Sequence, residues 1–271
     1  MKNNGRHIDA ISCGQGGPSL FLIIAAKEYN LFSADVVIVA DTGWENDMLR
    51  TDGRRSDART FFEEVTKPLA VEYGLDAYFV RANDGNGKPL PPLQDTQRLV
   101  GSRIEVDIPM FGSNGGRLHQ SCTSKYKVSA IRQQLRRLGA KTANSYLGIT
   151  MDEVHRMKES DRKWNPQSYP LVVNGKGVRY YRSTIENDLR KRNIPFLITT
   201  ECDGCPHKNW ARWDRTSPET IQELSEFEAS FNGEFFLTNN RIALKDSVDK
   251  MRNGQSMTLF DESCDSGYCF L

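Results

Sequence analysis

The residues best placed to do chemistry fall into two groups, one built on glycines and hydroxyls, the other on sulfur. The run Ser12, Cys13, Gly14, Gln15, Gly16, Gly17, Pro18, Ser19 joins one apolar segment to another of helical character. Glycines at such a junction let backbone N–H groups point at an anion, and a helix start adds the positive end of its dipole. Ser12 and Ser19 add two hydroxyls. The run is not a Walker loop, since no Gly-Lys-Ser/Thr follows. It also lacks the GxGxxG spacing and acidic ribose partner of a dinucleotide fingerprint. A tight strand-to-helix connection is the alternative reading of the same glycines.

Six cysteines in a chain whose start, MKNNGRHIDAIS, shows no apolar export segment are expected to be thiols, metal ligands or redox groups before disulfides. Cys202 and Cys205 are spaced so that two thiolates can grip one metal, with Asp203-Gly204 supporting the turn; a redox pair has the same spacing. Cys264 and Cys269 lie close together near the end of the sequence. Two thiols on a tail that closes over a ligand would serve as nucleophile and resolving thiol, against the plainer reading of a frayed end. Cys13 reads as a small buried residue, and Cys122 stands alone. Asp41 and Glu45 close an apolar run, where they either contact a ligand or cap the next helix.

These groups need a scaffold. HIDAIS, ADVVIVADTGWE, DAYFVRAN and SYLGIT read as strands, the second buried on both faces. Helices are expected from about Ser19, over 58–73 and over 125–138. Strand and helix alternate through the first 150 residues, which predicts right-handed crossovers and a doubly wound parallel sheet. Its carboxyl edge would gather 13–19, 41–45 and 148–153. The texture changes after Trp164, and two units are expected: an α/β nucleotide-binding domain over 1–160 and a smaller cysteine-containing unit over 161–271. At 271 residues, 38% hydrophobic and 26% charged, the chain has an ordinary globular composition. A net charge of +1 argues against holding nucleic acid by bulk electrostatics, although Arg132, Arg136 and Arg137 supply a local basic face. No run of about eighteen apolar residues marks a membrane span, and a cytoplasmic enzyme is expected. Trp210, Arg212, Trp213 and Arg215 are read first as a packed helix with a basic outer face, and second as a stacking surface for nucleic acid.

Several of these elements together resemble one family. Ser-x-Gly-x-Gly-x-x-Ser over 12–19 is similar to the PP-loop of the adenine nucleotide α-hydrolase superfamily, in its phosphoadenosine phosphosulfate (PAPS) reductase-like branch. Asp41-Thr42-Gly43-Trp44-Glu45, Cys122-Thr123 with Tyr126-Lys127, Gly148 followed by Asp152, Glu153 and Arg156, and Cys202-Asp203-Gly204-Cys205-Pro206-His207 resemble its other motifs, in the same order. The resemblance runs almost the length of the chain. Pro18 stands where many such loops carry Asp.

The resemblance implies a Rossmann-like fold of PP-loop type and an adenine nucleotide, ATP or PAPS-like, held by Ser12, Gly14, Gly16, Gly17, Ser19, Asp41, Thr42, Gly43, Gly148 and Lys127. It places Arg156 at the reacting phosphates, with Asp152 or Glu153 holding Mg2+. It adds Cys122 to Cys202 and Cys205 as a third metal ligand, for a 4Fe–4S cluster or, less favoured, Zn2+; His207, Cys264 or an exogenous sulfide would be the fourth. The implied activity is cleavage of ATP at the α-phosphorus to activate an acceptor, DNA or tRNA, for sulfur transfer, with a cysteine desulfurase or thioredoxin as sulfur-donor partner. A PAPS reductase releasing sulfite through Cys264 or Cys269 is the alternative enzyme. A nucleotide-sensing subunit without turnover is the third reading, to which Pro18 points.

Overall fold

Residues 5–100 and 103–254 are described by the computed structural model. Side-chain alternation in the apolar strands sets its layers. Strand β1 (Arg6–Ser12) turns Ile8 and Ala10 to one core and Ile11 to another. In β2 (Val36–Asp41), Val36 and Ile38 join the first core and Val37 and Val39 the second. Apolar residues on both faces require cover on both sides. With β3 (Asp76–Arg81), β4 (Ala140–Leu147) and β5 (Gln167–Ser168) they form a five-stranded sheet in the order β5-β4-β1-β2-β3. Every pairing in it is parallel. The expected doubly wound α/β architecture is therefore present.

The chain builds outward from β1 to β3, then returns to lay β4 on the other side of β1. This reversal opens a crevice beyond the carboxyl ends of β1 and β4, where sheets of this kind take their ligands.

Helix α1 (Gly17–Lys27) has buried residues all round its surface. That is what a helix trapped between two layers requires, and α1 lies between the sheet and a later helix. Pro18 falls in its first turn, where the missing N–H costs nothing. The segment expected to be helical over 58–73 comprises α2 (Ala58–Phe61), a π-turn (Phe62–Thr66) and α3 (Lys67–Glu72). Another π-turn (Thr123–Val128) leads into α4 (Ser129–Arg137), which covers the opposite face through Ile131 and Leu135. Helix α5 (Arg182–Lys191) packs on α1. Both β5 and α5 lie past residue 160 yet belong to the sheet's own layers, so packing crosses the expected boundary.

The unit after the CxxC is helical: α6 (Trp210–Asp214), α7 (Pro218–Ala229) and α8 (Leu244–Arg252). Asn209 caps α6 and Ser217 caps α7 through side-chain oxygens. Their core holds Trp213, Leu224, Phe231 and Val248 together with Trp44, Ile108, Met110 and Tyr126 from earlier in the chain. Trp213 therefore belongs to packing, as the first reading of its segment expects. The Glu228 carboxylate ties this unit together, accepting from the amides of Leu237 and Leu244 at 2.6 Å each. Among the described residues no helix is long and apolar enough to cross a membrane.

Candidate functional site

A cleft opens at the crevice beyond β1 and β4. Ser12, Gly14, Gly16 and Ser19 of the glycine-rich loop line it. Gly16 is the N-cap of α1 and has no side chain with which to close the helix end. The Ser19 hydroxyl donates to the Gly16 carbonyl at 3.0 Å, and the Ser19 and Leu20 amides bond the same carbonyl at 3.1 Å. The amides of Gly14 and Gly16 make no hydrogen bond among the described residues. The loop thus presents backbone N–H groups at a helix start, the arrangement that binds phosphate.

Gln15 shapes the loop. It adopts a left-handed conformation (φ 63) although it is not glycine. Its side chain turns down, donating from Nε2 to the Ala58 carbonyl at 3.1 Å and to Thr66 Oγ1 at 3.4 Å. Its carbonyl accepts from the Leu197 amide. These bonds hold the turn, and the Gly14 and Gly16 amides stay unbonded among the described residues.

Cys13 sits under the loop, its thiol pushed up to about 11 by burial. A hundredfold smaller thiolate fraction follows from a pKa two units above the usual 9. Cys13 is expected to alkylate about a hundredfold more slowly in the folded protein than in urea, read by mass spectrometry of the labelled peptides. Equal rates in the two states would mean that the packing role is wrong.

The opposite lip comes from the turn after β4. A methyl group on Gly148 would lie 2.7 Å from the Pro18 carbonyl carbon and the Ser19 nitrogen. Only a glycine lets this turn pass the first turn of α1. Past it, Glu153 Oε1 receives Arg156 at 2.5 Å and Arg182 at 2.7 Å, and all three residues line the cleft. Asp152 lies outside it and accepts from the Arg182 amide at 2.7 Å, capping α5. Both carboxylates expected at magnesium are thus engaged, one orienting two guanidiniums and the other a helix start.

Asp41, Thr42 and Gly43 also lie outside the cleft lining. Asp41 accepts from the Gly43 amide at 2.7 Å and from Arg81 Nε and NH2 at 3.0 and 2.7 Å. Asp41 thus closes the turn after β2 and pairs with Arg81, and it caps no helix. Glu45 does reach the cleft, buried, with its Oε1 3.1 Å from Lys127 Nζ.

The cysteines meet beside this pair. Cys122, Cys202, Cys205 and His207 line one cavity of about 30 Å³, which shares Thr123 and Lys127 with the cleft wall. Burial pushes the Cys122 thiol up to about 11 and that of Cys202 well above the thiol range; Cys205 adds to both shifts and Lys127 opposes them. Among the described residues no three His, Cys, Asp or Glu side chains are already drawn into metal-ligating geometry. The donors are nevertheless of the kind a soft cation takes, three thiols in a buried space beside a lysine.

Gly204 fixes how the CxxC approaches Trp44, since a methyl group there would fall 2.1 Å from the indole ring. Asp203 accepts from the Asn46 and Asp47 amides at 2.9 and 3.2 Å, and burial raises its pKa to about 6. The residue between the cysteines therefore ties the sulfur motif to the turn after β2.

Two cleft residues escape a reading of the sequence: Arg182 and Asn165. Each comes from the half of the chain expected to form the other unit, and neither carries a motif. Cys264 and Cys269 lie outside the described residues. Against family models and against curated proteins, the chain finds no match.

Proposed function

We propose that the protein is an adenine-nucleotide-dependent enzyme that cleaves ATP at the α-phosphorus and uses the activated acceptor for sulfur transfer. The observation carrying this reading is the juxtaposition of two sites. A helix-start glycine loop at the sheet's reversal point adjoins a three-thiol cavity, and Thr123 and Lys127 belong to both walls. Nucleotide activation and sulfur chemistry can then act on one acceptor atom.

In this reading the loop amides hold the phosphates at the start of α1. Lys127, Arg156, Arg182 and Arg212 surround the cleft as the positive groups that stabilise charge developing on a departing pyrophosphate. An acceptor oxygen attacks the α-phosphorus, the bond to the β-phosphate oxygen breaks, and pyrophosphate leaves. The adenylated oxygen is then displaced by a sulfur nucleophile with loss of AMP. Cys122, Cys202 and Cys205 would hold a metal or iron–sulfur centre, which supplies a place for sulfur to bind. Asp152 and Glu153, one of which would hold Mg2+, each also bond Arg182.

A nucleic-acid acceptor, tRNA or DNA, fits a second groove that carries Arg132, Arg136, Arg137, Lys158 and Trp164 and shares Val128 and Gln167 with the cleft. Arg136 lies over the Trp164 ring, 3.6 Å from its centroid. Guanidinium and indole together suit a phosphate-bearing strand.

The test is pyrophosphate release from ATP with magnesium, with tRNA or single-stranded DNA added as acceptor. Acceptor-dependent pyrophosphate and AMP are expected. Sulfite release from PAPS, lost on replacing Cys264 and Cys269 by Ser, would establish the reductase instead. Nucleotide binding with no product from either substrate would establish a sensing subunit.

A further inference from the structure

One buried oxygen beside the thiols lacks a partner. Glu201 has a side chain 1% exposed, and its Oε2 accepts from Arg212 NH1 at 2.8 Å and from the Thr200 amide at 3.1 Å. Its Oε1 makes no hydrogen bond. A buried carboxylate oxygen left unbonded calls for an explanation, and an ion is among the usual ones. Glu201 lines the same cavity as Cys122, Cys202 and Cys205.

We infer that Glu201 Oε1 is the fourth ligand of a single soft divalent cation held by the three cysteines. The inference rests on the three-thiol reading above and goes beyond it in completing the donor set. Three sulfurs and one oxygen are the number of donors a tetrahedral site takes, without exogenous sulfide.

The other candidates in the cavity are spoken for. Arg117 NH2 lies 2.9 Å from His207 Nε2. Gln120 Oε1 lies 3.1 Å from the same nitrogen, so Nε2 is held between two side chains. Nε2 therefore already has its partners. Glu45 Oε1 is taken by Lys127 and faces the Cys202 thiol at 3.7 Å.

Charge agrees with the assignment. A divalent cation with three thiolates and a carboxylate carries two net negative charges. Lys127 stands in the cavity wall and Arg212 holds the carboxylate, so the excess meets positive charge at both ends. A carboxylate is the hardest of the four donors and the one a soft cation holds least. The Glu201 position is therefore where an incoming sulfur ligand would enter.

The test uses the full-length protein stripped with chelator, then titrated with Zn2+ against a chromophoric competitor and with Co2+ for its spectrum. The wild type is expected to take one equivalent, and Cys202→Ser to take none at this site. Glu201→Gln should weaken Zn2+ binding at least about tenfold, and shift the Co2+ visible bands while leaving the thiolate-to-cobalt absorption intact. That retained absorption separates loss of a ligand from loss of the fold. His207→Asn should bind within about threefold of the wild type. Unchanged affinity and spectrum in Glu201→Gln would overturn the assignment alone, as would a larger loss in His207→Asn. No Zn2+ or Co2+ bound by the wild type would overturn the three-thiol reading with it. An iron–sulfur cluster in protein purified without oxygen would replace the single cation.

Discussion

Replacing Gly148 by Ala is expected to cost about 3 kcal/mol of stability and to abolish nucleotide binding in the cleft. The added methyl group would stand 2.7 Å from the Pro18 carbonyl carbon and the Ser19 nitrogen, and 2.9 Å from the Pro18 oxygen. These are backbone atoms in the first turn of α1, so no side chain can swing away to make room. Either the turn after β4 lifts or the helix start retreats. Both movements displace the amides that would face phosphate, and the turn also carries Glu153 and Arg156. Gly85→Ala is the control, since a methyl group there meets nothing within 4 Å. Denaturant titration should place that variant within about 0.5 kcal/mol of the wild type.

The second large effect is expected at Lys127, a residue common to the cleft and the thiol cavity. Its ammonium lies 3.1 Å from Glu45 Oε1, and the two side chains are 20% and 8% exposed. Lys127→Ala leaves a buried carboxylate without its cation, a loss of about 3 kcal/mol. Turnover should fall with it, because in the proposed reading the same charge would face the phosphates, and it opposes the upward shifts of Cys122 and Cys202. The two roles separate in a double variant. Lys127→Met with Glu45→Gln removes the orphaned charge and should recover most of the stability while leaving nucleotide turnover lost. A double variant with wild-type turnover would confine Lys127 to a structural role.

The sequence makes the backbone-driven features legible. The strands are short apolar runs, and the loop declares itself because glycines there serve the main chain. Gly148 is found for the same reason. What a side chain does at the end of a strand is harder to read. Asp41 looks like a ligand contact by position, yet the register of β2 on β3 pairs it across from Arg81, which claims it. That register is set by residues on both strands and leaves no mark near Asp41. For Glu153, nothing nearby in the sequence tells that Arg182, from the start of α5, shares an oxygen of it with Arg156. Arg212 reaches the cleft wall only because α6 packs against the CxxC turn through Glu201. Each of these contacts spans a long stretch of chain and depends on tertiary packing, which local spacing does not encode. The convergence of Cys122 with Cys202 and Cys205 comes into view only through resemblance, because one isolated cysteine carries no spacing of its own.

The central claim is that the cleft between the 12–19 loop and Gly148 holds an adenine nucleotide. Thermal unfolding of the wild type and of Gly148→Ala, each with increasing ATP, tests it most directly. At a hundred times its Kd, ATP should stabilise the wild type by about 2.7 kcal/mol, with adenosine giving far less and Gly148→Ala showing no shift. A wild type indifferent to ATP, AMP and PAPS alike, or a Gly148→Ala variant that responds as strongly as the wild type, would contradict the account.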